Sequence, residues 1–232
     1  MQAVLFDMDG TLVQTEELWG EAMFALAASL GGRMSDAARQ RTVGTSLRTS
    51  MTILYDDLGV TRSETDLRRD ARWVEDETGR LLADGVAWQP GARELVAEVR
   101  AAGLRSALVT TTPRRLAALV LRSIGEIAPG LPSFDVTVCG DEVPARKPDP
   151  APYRQAMAAL GVRPEACVVV EDSQSGISSG LAAGAAVLGV PGVQDIAAAP
   201  GLVLRGSLVG VGVAELAAVL AARDDDLAAA DR

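Results

Sequence analysis

Val4-Leu5-Phe6-Asp7-Met8-Asp9-Gly10-Thr11 sets three apolar residues before two aspartates spaced two apart, with glycine immediately after. Together with Ala3, the apolar run has the length and composition of a strand buried on both faces, as in a parallel sheet. It ends in two carboxylates. Crowded at the carboxyl end of one strand, they repel each other unless a cation or a proton intervenes, an arrangement that suits Mg²⁺ together with a phosphoryl group. A calcium loop does not fit. Counting Asp7 as its first position puts Leu12 where the loop needs glycine and Leu18 where it needs glutamate. The remaining alternative is a strand end solvated by acids and stopped by a turn.

Further apolar runs read as buried strands at Ser106–Val109, Val136–Cys139, Cys167–Val170 and Ala186–Val190. Helical patterns separate them. Leu95, Val96 and Val99 precede Gly103; Leu116, Leu119, Val120 and Ile124 follow Pro113; Tyr153–Leu160 stops at Gly161, and Gly176–Ala183 at Gly184. Strands alternating with helices predict an α/β fold, a Rossmann-like parallel sheet with helices on both faces. Such sheets bind ligands beyond the carboxyl ends of their strands.

Residues 15–88 differ. They hold no convincing strand, many charges, and amphipathic periods at Leu18–Leu30, Leu47–Leu58 and Leu67–Leu82. We read them as a helical cap inserted into a core made of residues 1–14 and 89–222, with Gln89-Pro90-Gly91 marking the return. Residues 223–232, acidic and then alanine-rich, read as a flexible tail.

Three other segments fall at or beyond predicted strand ends. Thr110-Thr111-Thr112 precede Pro113 and offer hydroxyls and free N–H groups at a helix start. Lys147-Pro148-Asp149-Pro150 opens a helix. Glu171-Asp172-Ser173-Gln174-Ser175-Gly176 ends another apolar strand in paired acids. Each alone has an ordinary reading as a cap, a surface lysine or a turn.

Composition narrows the chemistry. The 232 residues include 22 basic and 31 acidic side chains, a net charge of −9 and no histidine. Lys147 is the sole lysine, so arginine fills every other basic position. Ser-His-Asp and Cys-His catalysis and histidine zinc sites are excluded. A GxxxxGK[ST] phosphate loop is excluded as well, because Lys147 precedes proline. Gly210-x-Gly212 lacks the third glycine of a dinucleotide site. The acidic balance argues against a nucleic-acid partner. Two cysteines without a CxxC, an early acid at Asp7 and no long uninterrupted apolar span predict a cytoplasmic chain without a membrane segment. The longest uncharged stretch, Ser173–Gln194, reads as helix, turn and strand.

The Asp7-x-Asp9-Gly10-Thr11 box, Thr110, the Lys147-Pro148 box and Glu171-Asp172-Ser173 with Gly176, in that order, resemble the motifs of the haloacid dehalogenase-like hydrolase superfamily. The resemblance is to its helical-cap branch, the β-phosphoglucomutase and phosphoglycolate phosphatase group, and it extends to about residue 222. It implies a Mg²⁺-dependent phosphatase hydrolysing a small phosphorylated metabolite. In that scheme Asp7 is the nucleophile forming an aspartyl-phosphate, and Asp9 the general acid and base. Mg²⁺ lies on the Asp7 and Asp172 carboxylates and the Asp9 carbonyl, with Glu171 beside them holding metal-bound water. Thr110 and groups near Thr111, with the Gly10 turn, hold phosphate oxygens. Lys147 bridges Asp7 and the phosphate. In the cap, the loop from Val43 to Ser50 resembles the family's substrate loop, making Gly44 and Arg48 candidates for substrate contact. A solvated helical arginine is the alternative at Arg48. Trp19 and Trp88 read as packing near the hinge. The alternative activity is a sugar phosphomutase of the β-phosphoglucomutase type, but such mutases carry a cap histidine that this chain lacks. A dehalogenase would lack the second aspartate, and a Schiff-base phosphonate hydrolase would need a cap lysine.

Overall fold

The computed structural model describes residues 1–127, 134–190, 192 and 196–230. Among the described residues, six parallel strands form one sheet: β1 (Ala3–Phe6), β2 (Arg105–Val109), β3 (Val136–Val138), β4 (Cys167–Glu171), β5 (Ala186–Gly189) and β6 (Leu202–Leu204). Their order is β3-β2-β1-β4-β5-β6. The chain therefore builds outward from β1 on one side, then returns to build on the other, and the topological switch lies at β1 and β4. Asp7 and Asp172 follow those two strands, at the crevice where this class of sheet binds ligands.

Alternation along each strand fills both faces. Val4, Phe6, Leu108, Val168, Val170 and Leu188 face one core cluster, while Ala3, Leu5, Ala107, Val109, Val169 and Val187 face the other. The first face is covered by α5 (Ala92–Ala101), α6 (Arg114–Ile127) and α9 (Val213–Ala230); the second by α7 (Ala151–Leu160) and α8 (Gln174–Ala182). A slip of one residue in β1 would exchange the two faces, so register is strongly specified.

The insertion is helical: α1 (Glu16–Ser29), α2 (Asp36–Thr42), α3 (Leu47–Leu58) and α4 (Glu64–Leu82). It has its own core, built on Met23, Leu26, Met34, Met51, Leu54 and Val74. Leu82 and Val86 pack instead with the sheet's core. The outgoing and returning chains run side by side, with Gln14 N–H donating to the Ala87 carbonyl and Gln89 N–H to that of Leu12.

The structure differs from the sequence reading at several points. β6 is an edge strand of three partly exposed residues, too short for a periodic signal. α2 has no apolar stripe; Ser35, which accepts from the Ala38 N–H, caps it. The region read as a tail begins inside α9, and Arg223 is buried there, donating to the carbonyls of Gly184 and Glu165. Residues 231 and 232 lie outside the described residues, as do 191, 193 and 194 of the long uncharged stretch. Cys139 and Cys167 are buried and unpaired. Among the described residues, no helix is long and apolar enough to cross a membrane.

Candidate active site

The sheet itself fixes the backbone of Asp7, whose N–H donates to the Val170 carbonyl at 3.0 Å and continues the β1–β4 ladder. Opposite its carboxylate stands Lys147, 8% exposed. The ammonium uses its three hydrogens on Asp7 Oδ1 at 2.6 Å, Glu171 Oε1 at 2.6 Å and the Val109 carbonyl at 2.8 Å. It also lies 4.9 Å from the centre of the Tyr153 ring. Burial pulls the Lys147 pKa down, but Asp7 and Glu171 outweigh burial and hold it above the ordinary lysine value. The amine is therefore a fixed cation.

Glu171 is fully buried and both its oxygens are engaged. Oε1 accepts from Lys147 and from the Tyr153 hydroxyl at 2.8 Å; Oε2 accepts from the N–H groups of Asp172 and Ser173 and from the Ser173 hydroxyl. The carboxylate braces Lys147 against α7 and the turn into α8. Asp172 is half-buried, and its Oδ1 accepts from the Thr11 hydroxyl at 2.9 Å.

Oxygens of Asp7, Glu171 and Asp172 lie within 4.8 Å of one another. Burial, only partly offset by Lys147, pushes the Asp7 carboxyl up to about 7. Asp172 is pushed well above the carboxylate range by burial, then by Asp7 and Glu171. Three acids against one ammonium leave uncompensated negative charge in a buried place. An all-oxygen donor set with surplus negative charge fits a hard divalent cation such as Mg²⁺.

Asp9 is held differently. Its Oδ1 accepts from the Thr15 hydroxyl at 2.7 Å and the Trp19 indole N–H at 3.4 Å; its Oδ2 accepts from Thr112 at 2.7 Å and Thr110 at 3.2 Å. Two donors come from the cap side and two from the core. Hydroxyls can turn from donor to acceptor, so three of these four partners can serve either protonation state of the carboxyl.

The cleft between core and cap is lined by Asp7, Asp9, Lys147, Asp172, Thr111, Thr112 and Ser173 from the core and by Glu16, Trp19, Arg39, Thr42 and Gly44 from the cap. Gly10 turns the chain beneath it with φ 82°, its carbonyl accepting from Gln89. Thr110 is buried and is not among the residues lining the cleft; its hydroxyl donates to Asp9 Oδ2. Arg48 is not brought to the cleft. It points outward, 63% exposed, in a two-pronged pair with Glu64 at 2.7 Å, because its place on the first turn of α3 faces α4 rather than the core. Arg39, Glu16 and Tyr153 were not singled out from the sequence, Thr112 entered only as one of three hydroxyls before Pro113, and Trp19, read as packing, touches Asp9. Glu16 could have been suspected, since it directly follows Thr15 in the first turn after the Asp-x-Asp loop.

Gly176 shows how tightly the brace is packed. A Cβ there would lie 1.7 Å from Glu171 Oε1. Gly176→Ala is expected to displace Glu171 from Lys147 and destabilise the fold by about 3 kcal/mol or more, from overpacking plus a broken buried pair. Chemical denaturation measures it, and a loss below 1 kcal/mol on that scale would show that Glu171 moves freely.

A sequence profile of the haloacid dehalogenase-like hydrolases matches residues 1–184. The chain is 36% identical to the phosphorylated carbohydrates phosphatase of Thermotoga maritima over 184 residues, 79% of this chain and 82% of the relative. It is 32% identical to the phosphoglycolate phosphatase of Rhodospirillum rubrum over 193 residues, 81% of this chain and 78% of the relative. Among solved structures, CbbY from Rhodobacter sphaeroides in complex with phosphate superposes with a TM-score of 0.81 at 30% identity, covering 94% of this chain and 99% of that one.

Proposed function

The chain belongs to the haloacid dehalogenase-like hydrolases, and we propose that it is a Mg²⁺-dependent phosphatase acting on small phosphomonoesters through an aspartyl-phosphate on Asp7. The reading rests above all on the Lys147 ammonium, buried and bonded to Asp7 beside two further acids. An anion can attack a phosphate dianion only where positive charge is already in place, and a fixed ammonium supplies it without reorganisation.

An Asp7 oxygen attacks phosphorus, the bond from phosphorus to the leaving oxygen breaks, and that oxygen takes the proton of Asp9. Water then attacks the phosphorus of the aspartyl-phosphate, its proton passes to the Asp9 carboxylate, and the Asp7 carboxylate departs. Asp9 alternates between acid and base within its cage of hydroxyls. Thr111, on the cleft wall, would hold phosphate oxygens, while Lys147, its three hydrogens on Asp7, Glu171 and the Val109 carbonyl, would act on the phosphate through its charge. The carboxylates of Asp7 and Asp172 and the Asp9 carbonyl would hold Mg²⁺, with Glu171 beside them fixing Lys147. When bound, the ion supplies positive charge to the phosphoryl oxygens.

No observation in the site favours the phosphomutase alternative. The chain has no histidine, and the group that reaches Asp9 from α1 is the Trp19 indole, which cannot exchange its proton. The test is a phosphate-release screen over sugar, polyol and small carboxylate monophosphates, with Mg²⁺ and with chelator. Release that requires Mg²⁺ is expected. Absence of turnover across the panel would remove the reading, and isomer interconversion outpacing release on addition of sugar bisphosphate would replace it with the mutase.

A further inference from the structure

The cap-side wall opposite Asp7 is built around one ion pair. Glu16 opens α1, and Arg39 reaches it from α2. Arg39 Nη2 donates to Glu16 Oε2 at 3.2 Å and to the Glu16 carbonyl at 2.6 Å; Nη1 donates to the Thr42 hydroxyl at 3.0 Å. The guanidinium side chain is 18% exposed and that of Glu16 34%. Room for the pair comes from Gly20, where a Cβ would stand 2.6 Å from Arg39 Nε. Around the pair lie hydroxyls: Thr42, Thr45 and Ser50, the last two bonded to each other at 2.9 Å.

The charges lining the cleft are then accounted for. Among the described residues it has three cations, Arg39, Arg146 and Lys147, and five acids, Asp7, Asp9, Glu16, Glu75 and Asp172. Lys147 is matched by Asp7 and Glu171, and Arg39 by Glu16. Arg146 stands on the core side, on the loop leading into Lys147, with Nε on the Gly140 carbonyl. The cap side thus offers a leaving group two neutralised acids, Glu16 held by Arg39 and Glu75 held by Arg115 of α6 at 2.8 Å, with several hydroxyls, and among the described residues no cation without a partner. A carboxylate or second phosphate would have to pull Arg39 away from Glu16, whereas a hydroxyl can donate to Glu16 and accept from the neighbouring hydroxyls.

We propose that the Glu16–Arg39 pair is the selectivity element of this cleft, admitting uncharged, hydroxyl-bearing leaving groups and rejecting anionic ones. It rests on the phosphatase reading and names the substrate class within it: monophosphates of neutral polyols or sugars, rather than bisphosphates or phosphorylated acids. Selectivity of this kind works by repulsion from the wrong ligand as much as by attraction to the right one.

The test compares kcat/KM for a hexitol monophosphate and a hexose monophosphate with those for phosphoglycolate and a hexose bisphosphate, all with Mg²⁺. Wild type should favour the neutral leaving groups by at least about tenfold. Glu16→Gln leaves the Arg39 charge unmatched and should move that ratio about tenfold or more toward anionic leaving groups; Arg39→Gln leaves Glu16 unmatched and should move it the other way. Opposite shifts separate a charge effect from simple damage to the cap, which would lower both arms together. Shifts of the same sign, or none, overturn the proposal while leaving the phosphatase reading intact. Failure to release phosphate from any of the four compounds removes that reading and this inference with it.

Discussion

Asp7→Asn is expected to abolish phosphate release, lowering turnover by roughly 10⁴-fold or more, the scale on which losing a covalent nucleophile acts. The amide matches the carboxylate in shape and can still accept the Lys147 hydrogen bond, but it cannot form an acyl phosphate. Stability should hold or rise. Burial pushes Asp7 up to about 7, so above that pH the folded protein carries a charge it would shed more readily than the unfolded chain does. A carboxyl whose folded pKa is raised destabilises the fold once pH exceeds its unfolded value, and the neutral amide removes that cost. Melting at pH 8 alongside phosphate release separates the two effects. Turnover within tenfold of wild type would exclude a covalent intermediate on Asp7.

Lys147→Arg should be nearly as damaging although it keeps the charge, with turnover down by about 10²-fold or more from misplacement alone. Three acceptors converge on one nitrogen, with the Tyr153 ring closing a fourth side. A planar fork spreads its donors and needs more volume than a site 8% exposed allows. Forcing it in is expected to cost about 1–3 kcal/mol of stability as well. Guanidinium denaturation and single-turnover kinetics would report the two losses. Activity near wild type would mean that the position requires charge and not a particular geometry.

Most of the sheet is legible in the chain because parallel strands buried on both faces leave uninterrupted apolar runs, as at Ala3–Phe6 and Cys167–Val170. β6 escapes because an edge strand of three partly exposed residues needs no such run. The Asp7 and Asp172 positions can be read because each directly follows a strand, where backbone geometry brings a residue to the sheet's carboxyl edge; Lys147 stands out instead as the sole lysine, and it lies in the loop before α7 rather than opening that helix. The cap is less readable. Whether Arg39 or Arg48 enters the cleft depends on how four helices pack, and neither carries a local mark. Thr110 shows the limit within a motif: its place at the end of β2 is evident, but the direction of its hydroxyl is decided by Asp9, far away in sequence.

The burial of Lys147 also shapes what the rest of the surface is chemically. Every other basic side chain is a guanidinium, and the single side-chain amine is held by three hydrogen bonds away from solvent. Towards acylating agents, carbonyl compounds and amine cross-linkers, the folded molecule therefore presents no accessible side-chain amine. Its other positive side chains are all guanidiniums, which are poor nucleophiles.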